Sequence, residues 1–146
     1  MSIEKAKTSA QAGDAKRTAR LAAVQMLYQM EYGQENREGL HLEDGESATA
    51  PHGALLKEIV LTVTDRKTTI DDILRRSLDP EWPLERLEVV LRAILRAGVA
   101  ELLAGNRTPG PILISDYVDV AHAFFAGKEP GLVNAVLDKV AKLVRT

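Results

Sequence analysis

Between Leu84 and Gly105 the apolar residues return at steps of three and four: Leu84, Leu87, Val90, Leu91, Ile94, Leu95, Val99 and Leu102. That period gathers them on one wide face of an α-helix. A strand would need alternation at a step of two, and no segment of strand length shows it between turn signals. A helix with so wide an apolar face must be covered by other helices. The chain supplies them. Ala19, Ala22, Ala23, Met26 and Met30 form a narrow face on a first helix, which Asp14 is placed to cap and Gly33 to stop. Leu55, Ile59, Val63, Ile70, Ile73, Leu74 and Leu78 predict a helix over 52–78, followed by a turn at Asp79–Pro83 that carries the only tryptophan, Trp82. After "GNRTPGP", Pro111 suits the first turn of a helix bearing Ile114, Val118, Ala121 and Phe125. After "GKEPG", Leu132, Val133, Val136, Leu137, Val140 and Leu143 predict a last one. The expected class is all-α, with five or more helices.

At 146 residues the chain suits one domain with a core large enough to stand without staples. Residues 1–13 are small and polar without a period and read as a disordered basic arm; 14–146 read as the helical domain, interrupted by an acidic loop at 33–51. The absence of cysteine removes disulfides, thiolate metal sites and thiol nucleophiles together, and suits a reducing cytoplasm. No apolar run reaches the length of about 18 residues that spans a bilayer, and the N-terminus lacks the apolar stretch of a secretory signal. A cytoplasmic protein is expected.

The formal net charge of -2 hides an uneven distribution. Residues 1–20 hold Lys5, Lys7, Lys16, Arg17 and Arg20 against Glu4 and Asp14, whereas residues 31–46 hold six carboxylates against Arg37 alone. Such a split points to a local polyanion site. Lys16, Arg17 and Arg20 are three and four apart and share one side of the first helix. If that helix starts at Asp14, the cations sit at its positive end, where each costs a few tenths of a kcal/mol. A docked phosphate would reverse that cost, because helix N-termini favour anions. Arg20, Val24 and Tyr28 continue the row from charge to aromatic, and Lys7 on the arm is placed to reach a nucleic-acid backbone. The other reading of the row is an ordinary solvated helix face.

Enzymatic chemistry is not visible. His41, His52 and His122 form no i, i+4 pair for a metal, and the Glu43–Glu46 run lacks the spacing of a calcium loop. Neither a Gly-rich phosphate loop nor a nucleophile elbow occurs. Ser115, Asp116 and His122 are the residue types of a hydrolase triad, but Ser115 and His122 on one helix stand about 10 Å apart along its axis, too far for a hydrogen bond. No catalytic residue, cofactor or metal is expected. Asp116 and Asp119, three apart on one helix, read as a solvated face or as a docking side for a basic partner.

Three stretches carry a resemblance. "AKRTARLAAVQMLYQME" (15–31) resembles the opening helix of the NusB transcription antitermination factors, and "VLRAILRAGVAELL" (90–103) resembles the family's central helix. "PGPILISDYVDVAHAFF" followed by "LVNAVLDKVAKLV" resembles its C-terminal half. The match runs over about residues 15–144, with order and spacing kept. The resemblance implies a compact single domain of two packed helical bundles and a non-enzymatic function. It implies binding of the single-stranded boxA element of nascent RNA together with NusE, the ribosomal small-subunit protein. NusA, NusG and RNA polymerase are the indirect partners it implies, with resistance to termination on ribosomal RNA operons as the outcome. Carried onto this sequence, it implies RNA contacts at Lys7, Lys16, Arg17, Arg20, Tyr28, Leu132 and Asn134, and a NusE interface at Tyr28, Leu91, Arg92, Asp116 and Asp119. The chain departs from the family pattern at Leu91, Ser115-Asp116, His122 and Ala135, and at Leu132, which stands where an aromatic is common. Two alternatives remain: a helical module like that of rRNA cytosine methyltransferases, and a protein-only homodimer that hides the basic helix.

Overall fold

The helix predicted from the widest apolar face is the centre of the molecule. The computed structural model describes residues 3–32, 53–105 and 108–145, with side chains from Gly13 onward. Six α-helices lie within them: α1 (Ile3–Tyr32), α2 (Gly53–Asp65), α3 (Lys67–Ser77), α4 (Val89–Ala104), α5 (Gly110–Phe124) and α6 (Glu129–Val144). No strand occurs among the described residues. Helix α4 packs against all five others. Helices α1 and α2 gather with it on one side and α5 and α6 on the other, giving two packed bundles that share α4. Its Leu91, Ile94, Leu95, Val99 and Leu102 are buried in one continuous core with residues of the other five helices. Where α4 packs on α6, a Cβ on Gly98 would lie 2.7 Å from Leu137 Cδ1, so a side chain at position 98 would force the Leu137 methyls to shift.

The ends of α4 are set locally. Leu84–Arg86 form a separate 3₁₀ turn, and the helix proper begins after Glu88, whose carboxylate accepts from the N–H groups of Val90 and Leu91. The expected single helix from Leu84 is thus broken by its own cap, while Leu84 and Leu87 still reach the core. At the other end Gly105 takes φ 69°, the left-handed stop that glycine adopts without strain. Arg145, just past α6, donates to the carbonyls of Glu101 and Leu102, acceptors in the last turn of α4, and to that of Thr108 in the connection before α5.

Two further expectations change. The helix over 52–78 divides at Arg66, where φ is −118°. Thr64 returns its hydroxyl to the Val60 carbonyl just before the break, in the manner that bends helices. Helix α1 runs through residues 3–13 as well, so Asp14 lies inside the helix and caps nothing. Alanine, lysine, glutamate and glutamine there have ample helix propensity without an apolar period. Lys16, Arg17 and Arg20 therefore stand mid-helix, and the dipole cost expected of them disappears. The acidic loop and the Gly33 stop lie outside the described residues.

Candidate nucleic-acid interface

Two arginines that the sequence places on one row of α1 have opposite environments. Lys16 and Arg17 face solvent. Arg20 does not: only 1% of it is exposed, and it belongs to the core. Its Nε and Nη2 donate to the two carboxylate oxygens of Glu101 on α4 at 2.7 and 2.9 Å. Its Nη1 donates to Asp116 Oδ2 on α5 at 2.5 Å, and Nη2 reaches Thr108 Oγ1 at 3.4 Å. Tyr117, fully buried, donates its hydroxyl to Glu101 Oε2 at 2.5 Å, and the guanidinium carbon lies 5.9 Å from its ring centroid. The fork geometry of arginine suits such a bidentate pair.

The electrostatics follow from burial. Desolvation works against the charge on Arg20, but the hydrogen bond and charge of Glu101 outweigh it, so the guanidinium is held more firmly protonated than usual. Burial, then the charge of Glu101, pushes the Tyr117 hydroxyl well above its ordinary value. Asp116 also meets a second, looser cation at the surface. Arg17 brings Nε to 3.5 Å from Asp116 Oδ1 and Nη2 to 3.7 Å from Asp119 Oδ2, with Asp14 at 3.9 Å from Nη1.

Of the residues expected to contact RNA, Lys16, Arg17 and Tyr28 are exposed on α1, while Arg20 is corrected to the interior. Lys7 lies in α1, with its side chain outside the described ones. Leu132 is half-buried against the core and Asn134 is exposed, both on α6, which packs on α5 and α4. Asn134 shares a shallow hollow of about 240 Å³ with Asp138, Gly110 and Ile114.

The residues expected at a protein interface also divide. Leu91 is corrected to the core, at 2% exposure. Asp116 is almost buried, bound to Arg20 and facing Arg17, whereas Asp119 stands half-exposed beside it. Arg92 is tied down by Glu31 at 3.0 Å and by the carbonyls of Glu85 and Leu87. Arg96 pairs in two-pronged fashion with Asp71 next to it. Tyr28 forms one wall of an open groove of about 550 Å³, with Gln25, Gln29, Val90 and Phe124, and its ring meets Tyr32 edge-on at 5.1 Å. Sequence reasoning missed Glu101 as Arg20's partner and Phe124 as a groove wall. The only signal for the first was a lone acid inside an otherwise apolar helix face.

Among the described residues no group of His, Cys, Asp and Glu is arranged to hold a metal ion, and no helix is long and apolar enough to cross a membrane. The fold and site define a class: small all-helical proteins of two bundles around a shared central helix, with a cation-bearing first helix. The family profile of NusB matches residues 17–142, and the chain belongs to the NusB family. Its relatives include the transcription antitermination protein NusB of Allorhizobium ampelinum, 40% identical over 99% of this chain and 97% of that protein. That of Rhizobium rhizogenes is 41% identical over 96% and 91%. Among solved structures, T. maritima NusB superposes with a TM-score of 0.72 at 26% identity, over 87% of this chain and 90% of that one. A chain from a structure of the antitermination factors NusB and NusE in complex with dsRNA gives 0.73 at 27% identity, over 89% and 98%.

Proposed function

We propose that this protein is a non-enzymatic, cytoplasmic transcription antitermination factor. It binds boxA-type RNA of nascent ribosomal RNA transcripts together with NusE and helps RNA polymerase, with NusA and NusG, to resist termination. The observation that carries this reading is the likeness over most of both chains to a protein solved with NusE and RNA. The cation face of α1 supports it. Lys16, Arg17 and Tyr28 are the proposed RNA contacts there, joined by Lys7 nearer the N-terminus of the same helix and by Leu132 and Asn134 on α6. Asp119 and the groove at Tyr28 are the proposed sites for NusE. The methyltransferase-module alternative is not favoured, because the relatives named above are antitermination proteins matched over nearly their whole length.

The test is fluorescence anisotropy of a labelled single-stranded boxA-like RNA, titrated with the protein alone and with NusE. Binding is expected to tighten with NusE and to weaken with salt. For three to five neutralised phosphates, log affinity falls against log salt with a slope of about −2 to −3.5. Lys16→Glu/Arg17→Glu should abolish binding with helicity intact. Salt-independent binding, or binding untouched by that reversal, would remove α1 from the RNA surface.

A further inference from the structure

Arg17 is an exposed cation on α1, yet each of its three nitrogens already faces a carboxylate. Asp14, Asp116 and Asp119 lie 3.5–3.9 Å away. None of these is a close hydrogen bond; all are ion pairs at the loose end of the range. Behind them sits the buried knot, where Arg20 meets both Glu101 and Asp116. Asp116 is shared: Oδ2 belongs to Arg20 at 2.5 Å, and Oδ1 turns toward Arg17 at 3.5 Å. Asp119 is different. It is half-exposed and accessible to another macromolecule.

We propose that Asp119, aided by Asp14 and Asp116, competes inside the protein with RNA phosphate for Arg17, and that a cationic protein surface covering Asp119 releases Arg17 to the RNA. The proposal rests on the RNA-binding reading above and adds the device by which a protein partner raises RNA affinity. A phosphate arriving at Arg17 must displace carboxylates that hold the guanidinium loosely. A basic partner on α5 satisfies Asp119 and removes one competitor. Linkage requires the reverse as well: RNA that draws Arg17 away exposes Asp119 and tightens the partner by the same factor. Loose, solvent-exposed pairs suit this use, because breaking one costs little.

The experiment is a double-mutant cycle on RNA affinity, with wild type, Asp119→Asn, Arg17→Gln and the double variant. It uses labelled boxA-like RNA, at an ionic strength low enough that all four bind, with circular dichroism to confirm the fold. Asp119→Asn is expected to tighten RNA about two- to fivefold in the wild-type background, the range of one exposed ion pair. In the Arg17→Gln background it should leave affinity nearly unchanged. With saturating NusE the advantage of Asp119→Asn should shrink. If Asp119→Asn acts equally with and without Arg17, its charge acts only through the general field and the proposal is overturned. No effect in either background overturns it too, while salt-dependent binding by wild type leaves the RNA-binding reading intact. If none of the four proteins binds RNA, both fall together.

Discussion

The inner and outer edges of α1 make the most instructive comparison in this molecule. Arg17 and Arg20 are the same residue type, less than one turn apart, and each meets Asp116. Arg20 meets it at 2.5 Å inside the core with Glu101 and Tyr117 around it; Arg17 meets it at 3.5 Å with half its side chain in solvent. Burial converts the first pair into a structural tie among α1, α4 and α5, since none of its charges has water to fall back on. Exposure leaves the second exchangeable, since water and salt screen it. A substitution therefore means different things at two neighbouring positions. A charge reversal that includes Arg20 would confuse loss of fold with loss of binding.

The sharpest way to break this comparison is Arg20→Gln. It removes the buried cation that Glu101 and Asp116 share, and should cost about 3–5 kcal/mol, as breaking a buried pair does. Urea unfolding measures it, and a loss below 1 kcal/mol would show that the knot is not a structural tie. Next is Tyr117→Phe, which removes the hydroxyl given to Glu101 and should cost about 1.5–3 kcal/mol, as for a hydrogen bond to a charged group. It also carries a pH signature. The folded state holds the Tyr117 proton above its ordinary value of 10.0, so the unfolded chain releases that proton first. Wild-type stability should thus be complete below pH 10 and fall as pH rises beyond it, by up to about 1.4 kcal/mol per unit. Tyr117→Phe should lack that increment; parallel alkaline limbs for the two proteins would contradict the assignment. The smallest stability effect is expected at Arg17→Gln, under about 1 kcal/mol, because its pairs are exposed. Its effect should appear in RNA affinity and in a salt slope shallower by about 0.7. A large stability loss there would erase the distinction between the two edges.

Much of the fold was legible. The period of Leu91, Ile94, Leu95, Val99 and Leu102 identifies α4 and its burial, because a stripe that wide has only one use. Gly105 and Pro111 mark the turn between α4 and α5, because backbone preference acts locally. The start of α1 was misread, since an apolar period was required where propensity alone sustains a helix. The break at Arg66 was missed because the apolar step runs through it unbroken.

The candidate site was legible only in part. Position along a helix tells which residues share a row, and Lys16, Arg17, Arg20 and Tyr28 do share one side in sequence terms. It does not tell where that row enters the core. Arg20 turns inward to Glu101 on α4 and Asp116 on α5, and Val24 is buried as well, so the row read from one helix changed once its neighbours arrived; Leu91, which the resemblance implied at an interface, lies in the core where its own apolar period puts it. By itself the sequence determined the all-helical class, the central helix, its glycine stop and the concentration of cations on α1, because these depend on period, propensity and composition within one segment. Only the tertiary structure decided that Arg20 is a structural tie while Arg17 faces outward, and that Asp119 sits against it. Those facts depend on Glu101 and Asp116, 81 and 96 residues away, and no local pattern encodes which acid a buried arginine will meet.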